Sequence, residues 1–155
     1  MSAQEILDLA RAEGVMIATA ESCTGGMVAV ALTDMPGSSH VLERGFVTYS
    51  NNAKKEDLDV TPESLSTYGA VSEQVAREMA EGALAHSHAD LSVSVTGIAG
   101  PGASEHKPEG RVCFGLARKG FRTVTETRDF GAQGRDNVRR LSRDHALALL
   151  KRALT

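Results

Sequence analysis

At 155 residues the chain has room for one domain with a sizeable core, needing neither disulfide staples nor a structural metal. Its 41% apolar and 24% charged content is that of an ordinary globular protein, and with no Trp and 4% aromatic residues the core falls to Val, Leu, Ile and Ala. A formal charge of −3 gives no broad basic field for a polyphosphate backbone, and no apolar run is long enough to span a bilayer, so nucleic acid and membrane are excluded as partners.

Ile6, Leu9 and Ala10 fall at helical spacing between residues 2 and 13, and Gly14 stands where a helix would stop. Residues 15–20 are a short apolar run, cut by Glu21-Ser22-Cys23-Thr24-Gly25-Gly26 and followed by a second apolar stretch over 27–32. This predicts strand, tight turn, helix. Pro36-Gly37-Ser38-Ser39 breaks the chain before residues 45–50, whose β-branched and aromatic side chains predict a second strand with Asn51-Asn52-Ala53-Lys54 at its far end. Ser72 suits the N-cap of a helix through Val75, Met79 and Leu84, ending near His86. Residues 91–96 alternate as a third strand and run straight into the glycine-rich 97–102. Residues 111–118 and 121–129 predict a hairpin about Lys119-Gly120. The closing helix, from Gly134, places Val138, Leu141, His145 and Ala148 on one stripe, widened by Leu147, Leu150 and Leu154.

Early strands alternating with helices, and a late hairpin, predict an α/β fold: three layers, α/β/α, on a mixed and mostly parallel sheet of about five strands, with residues 1–155 in one domain. In such sheets ligands gather beyond the strand ends. Residues 21–26, 50–54 and 97–102 each follow a strand and are expected to converge on one pocket. The two cysteines, Cys23 and Cys113, lack disulfide-framework spacing, and Met1 to Glu5 lacks the basic start and apolar run of a signal peptide. The expected location is a reducing cytoplasm.

A serine at a strand-to-helix turn sits beside unpaired backbone N–H groups, which can hold the oxyanion of acyl transfer. In the 21–26 motif alone, Ser22 or Thr24 is more commonly a helix cap. Ser22 needs a base, and no histidine has an evident place beside it. Lys54 is the other candidate, although alone it reads as one of two adjacent solvated lysines with Lys55. To accept a proton its pKa must fall from about 10.4 towards about 7, at a cost of roughly 4–5 kcal/mol. Tyr49 could donate or pass a proton, or simply pack. Residues 97–102 could form an anion nest or a strained connection, and they lack the lysine and hydroxyl of a P-loop. Arg135 and Arg139, one turn apart, could clamp a phosphate or be solvated. His86 and His88 lack a third ligand, so no metal is expected. Cys23, at a helix start, is the rival nucleophile if its thiol is activated, and a buried inert residue if it is not.

Together these blocks resemble the carboxy-terminal domain family of CinA, the bacterial nicotinamide-nucleotide amidohydrolases. The resemblance is nearly full length. It rests on Ala20-Glu21-Ser22-Cys23-Thr24-Gly25-Gly26, Gly37-Ser38-Ser39, Gly45-Phe46-Val47-Thr48-Tyr49-Ser50-Asn51 with Ala53-Lys54, Gly69-Ala70-Val71-Ser72, and Gly97-Ile98-Ala99-Gly100-Pro101. It implies hydrolysis of nicotinamide mononucleotide to nicotinic acid mononucleotide and ammonia, without metal or other cofactor, in a homo-oligomer. Carried across residue by residue, it puts the nucleophile at Ser22, the base at Lys54 and an assisting hydroxyl at Tyr49. Oxyanion donors fall at Thr24, Gly25 and Gly26, and substrate contacts at Glu21, Gly97, Ala99, Gly100, Arg135 and Arg139. The chain departs from the family pattern at Ala103-Ser104-Glu105-His106, usually richer in glycine, and at Glu109, usually small and apolar. The alternative is a nucleotide-binding sensor that keeps the pocket without the chemistry.

Overall fold

The computed structural model describes residues 3–155; Met1 and Ser2, and with them the predicted start of the first helix at residue 2, lie outside the described residues. Helix α1 (Ala3–Glu13) buries Ile6, Leu7 and Ala10 and stops at Gly14, whose φ of 68° a side chain would resist. Strand β1 (Ile17–Glu21), the turn and α2 (Met27–Thr33) follow as predicted.

Strand β2 spans Leu42–Val47, three residues earlier than the predicted 45–50. Its parallel register with β1, Ile17 opposite Leu42 and Glu21 opposite Val47, fixes both ends. Tyr49 is therefore outside the sheet, and Ser50 caps a helix, α3 (Asn51–Leu58), by accepting from Ala53 N–H at 3.0 Å. Neither α3 nor α4 (Pro62–Tyr68) was expected. Helix α3 buries only Lys54 and Leu58, too little apolar surface to reveal a stripe. The signal for α4 was Thr61-Pro62-Glu63, a capping residue followed by proline at the first helical position.

Helix α5 (Glu73–Ala85) begins at the Ser72 cap, as predicted, and β3 (Leu91–Gly97) returns parallel to β1. Residues 98–110, between β3 and β4 (Arg111–Arg118), contain no helix, and without a crossover the next strand can only come back antiparallel. Strand β5 (Val124–Asp129) pairs antiparallel to β4, starting three residues later than predicted and leaving Phe121 exposed. The sheet order is β2-β1-β3-β4-β5. The mostly parallel expectation is thus corrected: the sheet is mixed, and its antiparallel ladders are the longer ones.

Two clusters of buried side chains pack on the sheet. Ile17, Leu91, Val93, Val95 and Phe114 pack with side chains of α1, α2 and α6 (Arg135–Leu154), while Ala18 and Ala20 pack with Leu58, Val75 and Met79 of α3 and α5. The alternation of β3 is therefore not apolar-in, polar-out. Ser92 and Ser94 are fully buried under α5, donating to the carbonyls of Ala80 and Ala76 at 2.6 Å each. These bonds replace part of the missing apolar contact, since a buried hydroxyl without an acceptor would destabilise the layer. In α6 the buried stripe is rotated from the predicted one: Leu141 is exposed, while Ser142 and Leu149 are buried. His145 packs edge-on against Phe114, ring centroids 4.6 Å apart. Among the described residues no helix is long and apolar enough to cross a membrane.

Candidate active site

The parallel registers of β1 with β2 and β3 bring Glu21, Val47 and Val95 abreast, so the segments after them leave the sheet side by side. Ser22 N–H donates to Val95 O and Thr48 N–H to Glu21 O, each at 2.9 Å, extending that order one residue beyond the strands. The three loops singled out from sequence do converge, on a pocket of about 310 Å³ whose wall includes Ser22, Tyr49, Lys54, Gly97, Ala99 and Gly100.

Lys54 is 1% exposed, among the largest fully buried side chains of the protein. The first turn of α3 carries its Nζ to 3.0 Å from Ser22 Oγ, 2.9 Å from Thr48 O and 3.3 Å from Tyr49 O. No carboxylate forms an ion pair with it among the described residues. Burial pulls its pKa below the usual lysine range, partly opposed by Cys23 and then Glu105. The geometry serves both protonation states. As an ammonium, Nζ donates to all three partners; as an amine, it donates to the two carbonyls and turns its lone pair to the Ser22 hydroxyl.

Glu21, expected at the ligand, is instead fully buried beneath the turn. Its Oε1 accepts from Thr24 Oγ1 at 2.6 Å, Gly26 N–H at 3.2 Å and Val28 N–H at 2.9 Å, and its Oε2 from Ala29 N–H at 3.1 Å. A carboxylate here satisfies donors that a helix start leaves unpaired and meets the positive end of the α2 dipole. It also removes an expected oxyanion donor, since Gly26 N–H faces Glu21. Gly25 N–H is taken as well, by Ser22 O at 3.1 Å. Among the described residues no backbone carbonyl accepts from the N–H groups of Thr24 and of Cys23, the latter a donor that sequence reasoning overlooked. The Cys23 thiol is buried, and burial pushes its pKa up to about 12, so the activation that a cysteine nucleophile needs is absent.

The predicted arginine pair is split. Arg135 lines the pocket, its Nη1 donating to Gly100 O at 2.6 Å and its Nη2 to the Tyr49 hydroxyl at 2.7 Å. Arg139 is away from the pocket wall and donates to Cys23 O at 3.1 Å and Thr24 O at 3.4 Å, bracing the turn from behind. The hydroxyl of Tyr49, 60% exposed, meets Arg135 and forms no hydrogen bond with Ser22 or the Lys54 amine. Gly97 lines the pocket, yet its lack of a side chain serves the sheet, because a Cβ there would come within 3.0 Å of both Val112 and Arg111 O. Among the described residues no backbone carbonyl accepts from the N–H groups of Ala99 and Gly100, which suits an anion. Gly102 N–H is already occupied by Glu109, whose carboxylate accepts from it at 2.7 Å and from Gly134 N–H at 3.0 Å. Glu109 thus ties the glycine loop to the start of α6. His86 lies at the end of α5, its Nε2 2.6 Å from Asp59.

Other residues at the pocket were not singled out from sequence. Thr96, 1% exposed, donates to Ala70 O at 2.8 Å and lines the pocket. Residues 104–107 form a tight bridge over it, latched to the 68–71 segment by Lys107, which donates to Tyr68 O at 2.6 Å and to Val71 O. The departure from the family pattern over residues 103–106 was the available signal.

Fold and site define an α/β protein whose parallel strand ends bring a buried serine and a buried amine into hydrogen-bond contact under an anion-suited loop. The CinA C-terminal domain family matches residues 1–154, and the chain belongs to it. It is 61% identical over 120 residues to a "CinA-like protein" of Chlorobium phaeobacteroides, covering 74% of this chain and 29% of that protein. It is 50% identical over 141 residues to the nicotinamide-nucleotide amidohydrolase PncC of Escherichia coli, covering 90% of this chain and 85% of that one. The crystal structure of the competence/damage inducible protein CihA from Agrobacterium tumefaciens superposes with a TM-score of 0.94 at 46% identity, covering 98% of this chain and 92% of that one. The chain spans about a third of the length of the CinA-like and competence-damage relatives.

Proposed function

We propose that this chain is a nicotinamide-nucleotide amidohydrolase, converting nicotinamide mononucleotide to nicotinic acid mononucleotide and ammonia through an ester on Ser22. The observation that carries the reading is a buried amine, with no carboxylate paired to it among the described residues, 3.0 Å from a serine hydroxyl. Relatives named for this activity, about half identical over most of the chain, supply the substrate. Neutral Lys54 takes the hydroxyl proton as Ser22 Oγ attacks the carboxamide carbon. The tetrahedral oxyanion is met by the N–H groups of Cys23 and Thr24. The C–N bond then breaks, Lys54 returns the proton to the departing nitrogen, and ammonia leaves. Water, giving its proton to the same amine, attacks the ester; the acid is released as Ser22 recovers its hydrogen. The ring of the substrate is a pyridinium, whose charge activates the carbonyl and disfavours protonation of Lys54. Its phosphate fits the N–H groups of Ala99 and Gly100 together with Arg135. This reading takes the chain as one three-layer domain, supported by core clusters on opposite faces of the sheet.

Purified protein incubated with nicotinamide mononucleotide is expected to release one ammonia per nicotinic acid mononucleotide formed. Ser22→Ala and Lys54→Ala are each expected to lower turnover by about 10³-fold or more, with binding kept in Ser22→Ala. Unchanged ammonia release by Ser22→Ala overturns the proposal, and tight binding by wild type without ammonia favours the sensor alternative.

A further inference from the structure

Resting on the amidohydrolase reading, we propose that Glu105 is the specificity-determining residue through which the pocket prefers a positively charged ring over a neutral one. Of the described residues lining the pocket, Lys54 and Arg135 carry basic side chains, and Glu105 is the one carboxylate. A zwitterionic nucleotide needs such a division: a cation for its phosphate, an anion for its pyridinium.

The carboxylate is positioned by long contacts, and its ion pair with Lys107 is a loose one. It rests on the N–H groups of Ala70 and Val71 at 3.4 Å each, long for charge-assisted bonds, and Ala70 and Val71 line the same pocket. Lys107 Nζ is 3.9 Å away and directs its hydrogens to the carbonyls of Tyr68 and Val71. The backbone is committed to this placement. Glu105 and His106 stand at φ 54° and 62°, a left-handed pair that non-glycine residues adopt at a cost, held by the Ser104–Lys107 bridge. The negative field also reaches the reacting end of the pocket, where it favours the charged form of Lys54.

At the effective dielectric of a half-exposed site, a carboxylate facing a ring cation across a few ångströms favours it on the order of tenfold. The test uses Ser22→Ala protein, so that nothing turns over, and calorimetric titration with two ligands: nicotinamide mononucleotide and its reduced dihydro form, whose ring is uncharged. Ser22→Ala is expected to bind the cationic ligand about tenfold more tightly. Adding Glu105→Gln should remove that preference by weakening the cation alone. Adding Lys107→Met, which loosens the latch but keeps the carboxylate, should leave the preference in place. Equal weakening of both ligands by Glu105→Gln, or a preference that survives it, overturns the proposal. If wild type deamidates the mononucleotide while the preference survives Glu105→Gln, only the role of Glu105 falls. If Ser22→Ala binds neither ligand and wild type releases no ammonia, the amidohydrolase reading falls with it.

Discussion

A lysine amine held out of water beside a serine has a consequence for stability as well as for chemistry. Because burial lowers the Lys54 pKa, the folded protein sheds this proton before the unfolded chain does. Between the folded value and the usual lysine range the unfolded state binds more protons, so stability gains with rising pH, by up to about 1.4 kcal/mol per pH unit from this group. Urea unfolding across that range is expected to show this gain in wild type and its loss in Lys54→Met. Equal slopes in the two proteins would mean that the buried amine is not the titrating group. On the proposed mechanism turnover needs the unprotonated amine and should rise with pH through the same folded value. Ser22 and Lys54 were both legible as residues of interest, one from its turn and the other as a candidate base that only the resemblance raised above a solvated lysine. Nothing local separates Lys54 from Lys55; the turn of α3 buries the first and leaves the second half-exposed.

At the scale of elements, the site depends on how loop and helix ends are tied. Glu21 binds the start of α2 to β1, Arg139 fastens α6 to the carbonyls of the 23–24 turn, and Glu109 bridges the glycine loop to Gly134. The last tie fixes the backbone from which Arg135 reaches Gly100 O and the Tyr49 hydroxyl. Glu109→Ala is therefore expected to raise KM for the mononucleotide severalfold while kcat stays within about twofold, the loss belonging to positioning. Glu109→Gln keeps an acceptor for Gly102 N–H and should recover part of it. A fall in kcat at unchanged KM would place Glu109 in the chemistry instead. Helix ends with a local signal, the α5 start at its Ser72 cap and the α1 stop at Gly14, were read correctly. The limits of β2 were not, because its register against β1 sets them.

Across the whole molecule, the two faces of the sheet are packed differently. The α1, α2, α6 side uses branched apolar residues, whereas α5 lies close on serines, alanines and Gly115. A Cβ at Gly115 would stand 2.5 Å from Ala76 O and 2.7 Å from Ser94 Oγ. Gly115→Ala is accordingly expected to push α5 off the sheet and cost about 1–3 kcal/mol in chemical denaturation. Stability equal to wild type would mean that α5 can shift without loss.

The sequence by itself determined the helix and strand runs set by local caps and periodicity, the strand-turn-helix carrying Ser22, and the glycine loop after β3. Those features depend on neighbours along the chain, which the sequence states directly. Only the tertiary structure decided that β4 returns antiparallel, that Glu21 and Arg139 support the turn, and which peptide hydrogens stay free. It also decided that Lys54 is buried. Proton affinity and hydrogen-bond pairing depend on what the fold packs around a group, and residues thirty or a hundred positions away supply those neighbours.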